Sequence, residues 1–334
     1  MNCAKIKMKT DYLYALENIL PVKRLSRAIL ALTNLCNSRC KTCSMWKNKK
    51  REELDFEVLE KFAGTNLFKK IRFLTLTGGE PFLRKDIDKI VNMFKKKNPK
   101  LHITLITNAL MPELVLEKVK NMPKDVLITL SFNGKEEAHD ESRGVKGNFK
   151  KLLETIQGLK LLNRNINFIF TVTKENYNQL LWAWDFAKQK NINILFSPEM
   201  DYGRLEHETG GRSLNEEQKK IVLSQLKKIY GERNRGFFDY TYFLFFKKFY
   251  EKKNISNKCY AGTNSIYIDY NGNIFPCENL VGKISPLGNI KTNFSIPKDY
   301  SPFINKSKCY EGCYLLCEMV RNMRKHPLKT MREK

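Results

Sequence analysis

The chain has 334 residues, enough to bury a sizeable core as one large domain or two. Its formal net charge is +25, but the basic residues are scattered (47–51, 95–97, 219–220, 321–325) and accompany no recognisable nucleic-acid module, so nucleic acid is not an expected partner and a metal-stabilised nucleic-acid-binding protein is only the alternative reading. No apolar stretch is long enough to span a membrane, and the first residues lack a signal peptide's apolar core. The expected setting is the cytoplasm, where cysteine spacing reads as metal binding rather than disulfides.

Residues 27–33 read as a strand. After it comes Leu-Cys-Asn-Ser-Arg-Cys-Lys-Thr-Cys-Ser-Met-Trp, which spaces Cys36, Cys40 and Cys43 as C-x3-C-x2-C. Three thiolates on one loop can ligate three irons of a 4Fe–4S cluster and leave the fourth iron open. Structural zinc is the alternative, but it wants a fourth nearby ligand and none of the four histidines lies close in sequence. Residues 56–65 read as a helix and 71–76 as a strand, ending in Thr77-Gly78-Gly79-Glu80-Pro81. Paired glycines let a ligand approach the backbone closely, and the glutamate offers a carboxylate to an ammonium group.

Helix-like segments at 84–97, 113–121, 149–163 and 177–190 then alternate with strand-like ones at 101–107, 126–131, 167–172 and 192–196. Repeats of this length imply a parallel sheet with right-handed crossovers, and each motif lies just after a strand. A loop is expected over 197–212. The sequence Ser213-Leu214-Asn215-Glu216 is a candidate capping box for a helix reaching about residue 231. Residues 236–253 are rich in aromatics, which suits a helix buried between domains better than a membrane-surface segment. Between Cys259 and Cys277 lies a hairpin signal with an Asn-Gly turn, and Cys309, Cys313 and Cys317 follow at spacings of four.

The cysteine loop and the Gly-Gly-Glu-Pro strand end together resemble the radical S-adenosylmethionine (SAM) superfamily. That resemblance implies an α/β fold, a six-stranded partial (β/α) barrel with the ligand at the strand C-terminal ends. It implies that Cys36, Cys40 and Cys43 bind a 4Fe–4S cluster whose open iron chelates SAM, with Gly78, Gly79, Glu80 and Pro81 around the methionyl amine. Reductive cleavage of SAM then yields a 5′-deoxyadenosyl radical that abstracts a substrate hydrogen. Further positions reached by the resemblance are Asn108, Ser131 and Arg143, the last suited to the methionyl carboxylate. Asn133 stands where the family often has Asp, and His139-Asp140-Glu141-Ser142-Arg143-Gly144 matches a His-Asp-x-x-Arg-Gly pattern. Trp46, Glu199 and Met200 are candidates for the adenine site; Glu199, Asp201, Tyr202 and Arg204 are candidates by position for a proton-transfer role.

The C-terminal cysteines resemble the auxiliary-cluster domains called SPASM and their shortened form, twitch. Five cysteines suffice for one fully ligated auxiliary 4Fe–4S cluster with one to spare. Cys259, Cys277, Cys313 and Cys317 are the favoured set, with Cys309 the spare; a zinc knuckle is the alternative. The expected plan is an N-terminal extension (1–26), the partial barrel (27–200), a helical linker (201–255), a small C-terminal iron–sulfur domain (256–320) and a basic tail (321–334). The expected partners are a substrate and a reducing donor of the flavodoxin or ferredoxin type. A small metabolite such as a sugar or aminocyclitol is slightly favoured over a peptide or protein side chain, since the segment before Arg27 is short for a peptide-binding module.

Overall fold

The computed structural model describes residues 25–48, 50–199, 214–230, 243, 246–247, 249–251 and 261–292. Six βα-type units run through its first part. β1 (Arg27–Ala31) is followed by the cysteine loop, then α1 (Phe56–Ala63), α2 (Asn66–Lys70) and β2 (Phe73–Thr77). Next come α3 (Ile87–Lys97), β3 (His102–Thr107), α4 (Pro112–Lys120), β4 (Leu127–Ser131), α5 (Glu136–Arg143) and α6 (Asn148–Leu161). β5 (Asn165–Val172), α7 (Leu180–Gln189), β6 (Asn193–Pro198) and α8 (Glu216–Tyr230) complete this part. β7 (Ser265–Ile268), β8 (Asn273–Phe275) and β9 (Gly288–Asn289) follow.

The strands form one open sheet in the order β6-β5-β4-β3-β2-β1-β7-β8-β9. β1 to β6 pair in parallel with their sequence neighbours, as repeated crossovers require. β7 adds in parallel to the free side of β1, with Ile29 opposite Tyr267, and β8 and β9 continue antiparallel. The C-terminal hairpin is therefore a continuation of the barrel sheet.

Alternation along the strands separates two faces. Leu30, Leu74, Leu76, Ile103, Leu105, Ile128, Leu130, Phe168 and Phe170 are buried in the main core under the helices. The opposite face carries small polar groups at matching heights. Thr75 lies opposite Thr104, and the row Thr129, Asn167, Asn193 crosses three strands. Sheets covered by helices on both faces read as continuous apolar runs. The polar alternation here marks one face as the lining of an open barrel.

One local expectation is corrected. The box that opens α8 is Asn215 with Gln218, each side chain accepting from the other's backbone N–H (2.9 and 3.0 Å); Ser213 lies outside the described residues. The expected β7–β8 hairpin forms, with Asn271-Gly272 in its turn. Gly272 N–H closes it onto the Asp269 carbonyl (2.9 Å), and the Asp269 carboxylate accepts from the Asn271 and Asn273 N–H groups. The His-Asp-x-x-Arg-Gly stretch forms helix α5 with its Gly144 cap. Of the aromatic segment, Phe246 and Tyr250 are buried one turn apart against the main core. The expected 197–212 loop is described only to Glu199, so Met200, Asp201, Tyr202 and Arg204 lie outside the described residues, as do Cys259, Cys309, Cys313 and Cys317.

Candidate active site

The cysteine loop leaves the C-terminal end of β1 and is pinned on three sides. The first is the Gly-Gly strand end. Gly79 N–H donates to the Thr33 carbonyl and Glu80 N–H to the Leu35 carbonyl, both at 2.7 Å. A Cβ on Gly78 would sit 2.3 Å from the Thr33 oxygen, and one on Gly79 2.1 Å from the Leu35 oxygen. What needs the absence of side chains here is the chain's own loop, which crosses directly over the glycines. Pro81 then opens a single 3₁₀ turn, Pro81–Leu83.

The second pin is Asn108, which donates to Asn37 on the loop and is itself held by Glu80, whose carboxylate is occupied by the protein. That carboxylate accepts from Phe82 N–H (3.1 Å), the Thr107 hydroxyl (2.9 Å) and Asn108 N–H (2.7 Å), and only 1% of Glu80 is exposed. Burial raises its pKa, and those three donors together with Arg143 oppose the rise. The residue ties the end of β3 to the end of β2, a job the ammonium expectation did not foresee.

The third pin is the end of α5. Arg39 N–H donates to the Arg143 carbonyl (2.9 Å) and Lys41 N–H to the Ser142 carbonyl (3.2 Å). Lys41 also pairs with Glu141 (2.5 Å) and Glu175 (3.5 Å). Gly144 caps the helix in the left-handed region (φ +63°), where a Cβ would lie 2.3 Å from the Arg39 carbonyl oxygen. Within α5, His139 accepts at Nδ1 from Asn133 N–H (3.1 Å). Burial and the nearby Arg143 hold its pKa down to about 3, against a small opposing effect of Asn148. Asp140 receives the Gly147 and Phe149 N–H groups at the start of α6.

Cys36, Cys40 and Cys43 form no disulfide, and Cys40 is buried. Burial pushes the Cys36 thiol up to about 12, with Glu80 and Cys40 adding to the rise; Ser38 N–H, which donates to its sulfur, and Arg143 pull the other way. Among the described residues no three His, Cys, Asp or Glu side chains converge as ligands of a single ion. A cluster asks for something else, since each thiolate holds a different iron. The loop fits that requirement: three thiols, N–H donors facing Cys36, and an Arg143 Nε that is buried without a hydrogen-bond partner beside them.

Ser131 ends β4, buried, at the same end of the sheet. Asn133, in the family's Asp position, donates from its amide to the Thr171 carbonyl (3.3 Å), which a carboxylate cannot do. Trp46 donates to the Cys40 carbonyl (3.2 Å) and lies beneath the Arg39 guanidinium. Sequence reasoning missed Arg84, which is buried, donates to the Leu32 and Leu54 carbonyls and pairs with Asp86, thereby fixing the root of the cysteine loop. Its place just after the Gly-Gly-Glu-Pro turn was the available signal. Of the auxiliary cysteines only Cys277 is described, half-buried just beyond β8.

These features define a radical SAM protein. Residues 30–187 match the radical SAM superfamily and residues 259–296 the SPASM iron–sulfur cluster-binding domain. Residues 30–187 thus carry a radical SAM domain, whose cofactors are a 4Fe–4S cluster and SAM, and the SPASM domain adds auxiliary iron–sulfur. It is 28% identical over 211 residues to a GTP 3′,8-cyclase of Sulfurovum sp. strain NBC37-1, covering 60% of this chain and 61% of that protein. It is 25% identical over 273 residues to the sporulation killing factor maturation protein SkfB of Bacillus subtilis strain 168, covering 79% of this chain and 62% of that protein. The chain thus spans about three fifths of the length of these two relatives. Among solved structures, anSMEcpe with bound AdoMet matches with TM-score 0.62 at 22% identity (80% of this chain, 75% of that one). Streptococcus suis SuiB bound to precursor peptide SuiA matches with TM-score 0.66 at 16% identity (93% and 76%). These confirm the fold, an open partial barrel. Among the described residues no helix is long and apolar enough to cross a membrane.

Proposed function

We propose that the protein is a radical SAM maturase that abstracts hydrogen from a peptide or protein side chain. Cys36, Cys40 and Cys43 would hold the cluster, and Gly78 to Pro81, Ser131 and Arg143 would surround SAM. When bound, the cluster and SAM supply reductive C–S cleavage and a 5′-deoxyadenosyl radical. The chain's own part is to hold the cysteine loop, present Arg143 to a carboxylate and keep the barrel mouth ordered.

The observation that carries the substrate class is the composition of the strands. β1 to β6 contain one Lys or Arg, Arg27, and no Asp or Glu. Arg27 sits at the far end from the cysteine loop, over the ring of Phe73. Beside apolar side chains such as Ile29 and Ile106, the lining offers hydroxyls and carboxamides, which suit the neutral hydrogen-bonding groups of a peptide and give a triphosphate no cation from these strands. The SkfB likeness reaches further along this chain than the cyclase likeness and points the same way. This reverses the slight preference for a sugar or aminocyclitol. A reducing cytoplasmic setting and a flavodoxin- or ferredoxin-type donor belong to the same proposal, because the cleavage consumes an electron.

The test offers the anaerobically reconstituted protein peptides translated from short reading frames beside its gene, and in parallel GTP and monosaccharides. Formation of 5′-deoxyadenosine above the substrate-free rate, with a mass change in a peptide, is the expected outcome. Stimulation by GTP or a sugar alone would overturn the substrate class.

A further inference from the structure

Asn108 closes β3 and was expected near SAM, but its side chain is committed elsewhere. Its carboxamide has one oxygen and two N–H groups to place. The oxygen accepts from Leu110 N–H at 2.9 Å, which fixes which way the amide is turned. The nitrogen then faces the cysteine loop, donating to Asn37 Oδ1 at 2.8 Å and lying 4.0 Å from Cys36 Sγ. The backbone is equally constrained. Asn108 N–H is held by Glu80 (2.7 Å), and its carbonyl accepts from Asn148 Nδ2 (3.2 Å). Every polar group of the residue has a partner, and the second amide hydrogen has the Cys36 sulfur.

We propose that Asn108 is a positioning residue for the cluster, donating an N–H···S hydrogen bond to the Cys36 thiolate and raising the cluster's reduction potential. Reduction adds negative charge that is shared by the iron and its sulfurs, so a donor at a ligating sulfur favours the reduced form. Ser38 N–H already serves the same sulfur, and Asn108 would be the second donor. The Glu80–Asn108 bond then links the Gly-Gly-Glu-Pro turn to the cluster through one residue. The inference rests on Cys36 being a cluster ligand, and iron content tests that separately.

The experiment is an EPR-monitored redox titration of reconstituted parent, Asn108→Ala and Asn108→Asp proteins, with iron per chain measured on each sample. Asn108→Asp keeps the acceptor for Leu110 and loses the donor. The expected result is a full iron load with a midpoint shifted to lower potential in both variants, further in Asn108→Asp, where charge is added. Unchanged midpoints at full iron load overturn the proposal. Should either variant fail to load, parent protein labelled with side-chain ¹⁵N asparagine supplies the answer: a ¹⁵N hyperfine coupling in the reduced cluster spectrum supports the bond, and its absence removes it. Cluster retention by a Cys36→Ala protein would instead defeat the underlying ligand assignment.

Discussion

Glu80 and Gly144 show how motif residues can serve the loop that holds the chemistry. In Glu80→Gln the amide keeps one oxygen for some of the three donors and sets an NH₂ against the rest. A buried donor left unsatisfied costs about 1–3 kcal/mol. The expected outcome is a loss of that size in the stability of the metal-free protein, measured by denaturant titration, together with poorer cluster loading. Unchanged stability with tenfold weaker SAM binding would instead return the carboxylate to direct contact with the cofactor. Gly144→Ala places a Cβ in the left-handed region and against the Arg39 carbonyl oxygen 2.3 Å away. Strain of this kind costs about 1–3 kcal/mol, and the loop has to move to relieve it. Iron per chain after reconstitution should fall in this variant, while one retaining the parent iron content would show that α5 does not hold the loop. Sequence spacing exposed the cysteines and the Gly-Gly-Glu-Pro end because those residue types at those intervals have few other uses. It did not expose which atoms the motif residues touch, since Glu80, Asn108 and Asn133 each choose partners from segments distant in sequence.

At the scale of elements, α5 is held by a histidine that must stay neutral. The ordinary pKa of 6.5 falls to about 3 for His139 in the fold, because the ring is buried beside Arg143. Between those values the unfolded chain binds the proton and the folded one does not, so stability rises with pH across this window and is lost on acidification. At 1.36 kcal/mol per unit, the metal-free protein should lose about 2 kcal/mol from this group between pH 7 and pH 5. Denaturant titrations at the two pH values check it against His139→Gln, whose loss should be smaller by about that amount; parallel losses would mean that the ring is solvated. The strands and long helices were legible because their apolar spacing is set by burial on one face. α5 was missed because it is short and almost wholly polar, Glu-Glu-Ala-His-Asp-Glu-Ser-Arg, and owes its helicity to docking on the cysteine loop. The capping box was displaced by two residues because the sequence offers two overlapping boxes, Ser213 with Glu216 and Asn215 with Gln218, and the second is the one formed.

For the whole molecule the question is how the two iron–sulfur regions share one sheet. β7 hydrogen-bonds along β1, and the β7–β8 turn reaches the segment after the cysteine loop, where Asn48 Nδ2 lies 3.5 Å from the Tyr270 hydroxyl. Ala31, Tyr267 and Phe275 pack as a second small core on the lining face, with Val281 and Ile284 against them. The hairpin therefore has hydrogen bonds and apolar contacts of its own beside β1. Five cysteines in this part of the chain supply one complete ligand set, so reconstituted protein should approach about eight irons per chain, four to each cluster. Replacing Cys259 and Cys277 together should leave about four, because the cysteine loop is pinned by β2, β3 and α5 rather than by the hairpin. Iron and sulfide analysis of both proteins checks this, and about twelve irons in the parent would show a third cluster. The double variant then separates two roles. If it keeps SAM cleavage and loses product, the auxiliary cluster serves the substrate; if it keeps both, the cluster is a brace for the C-terminal region. Loss of both iron sets would mean that the hairpin holds the barrel's open edge together, contrary to the packing seen along β1.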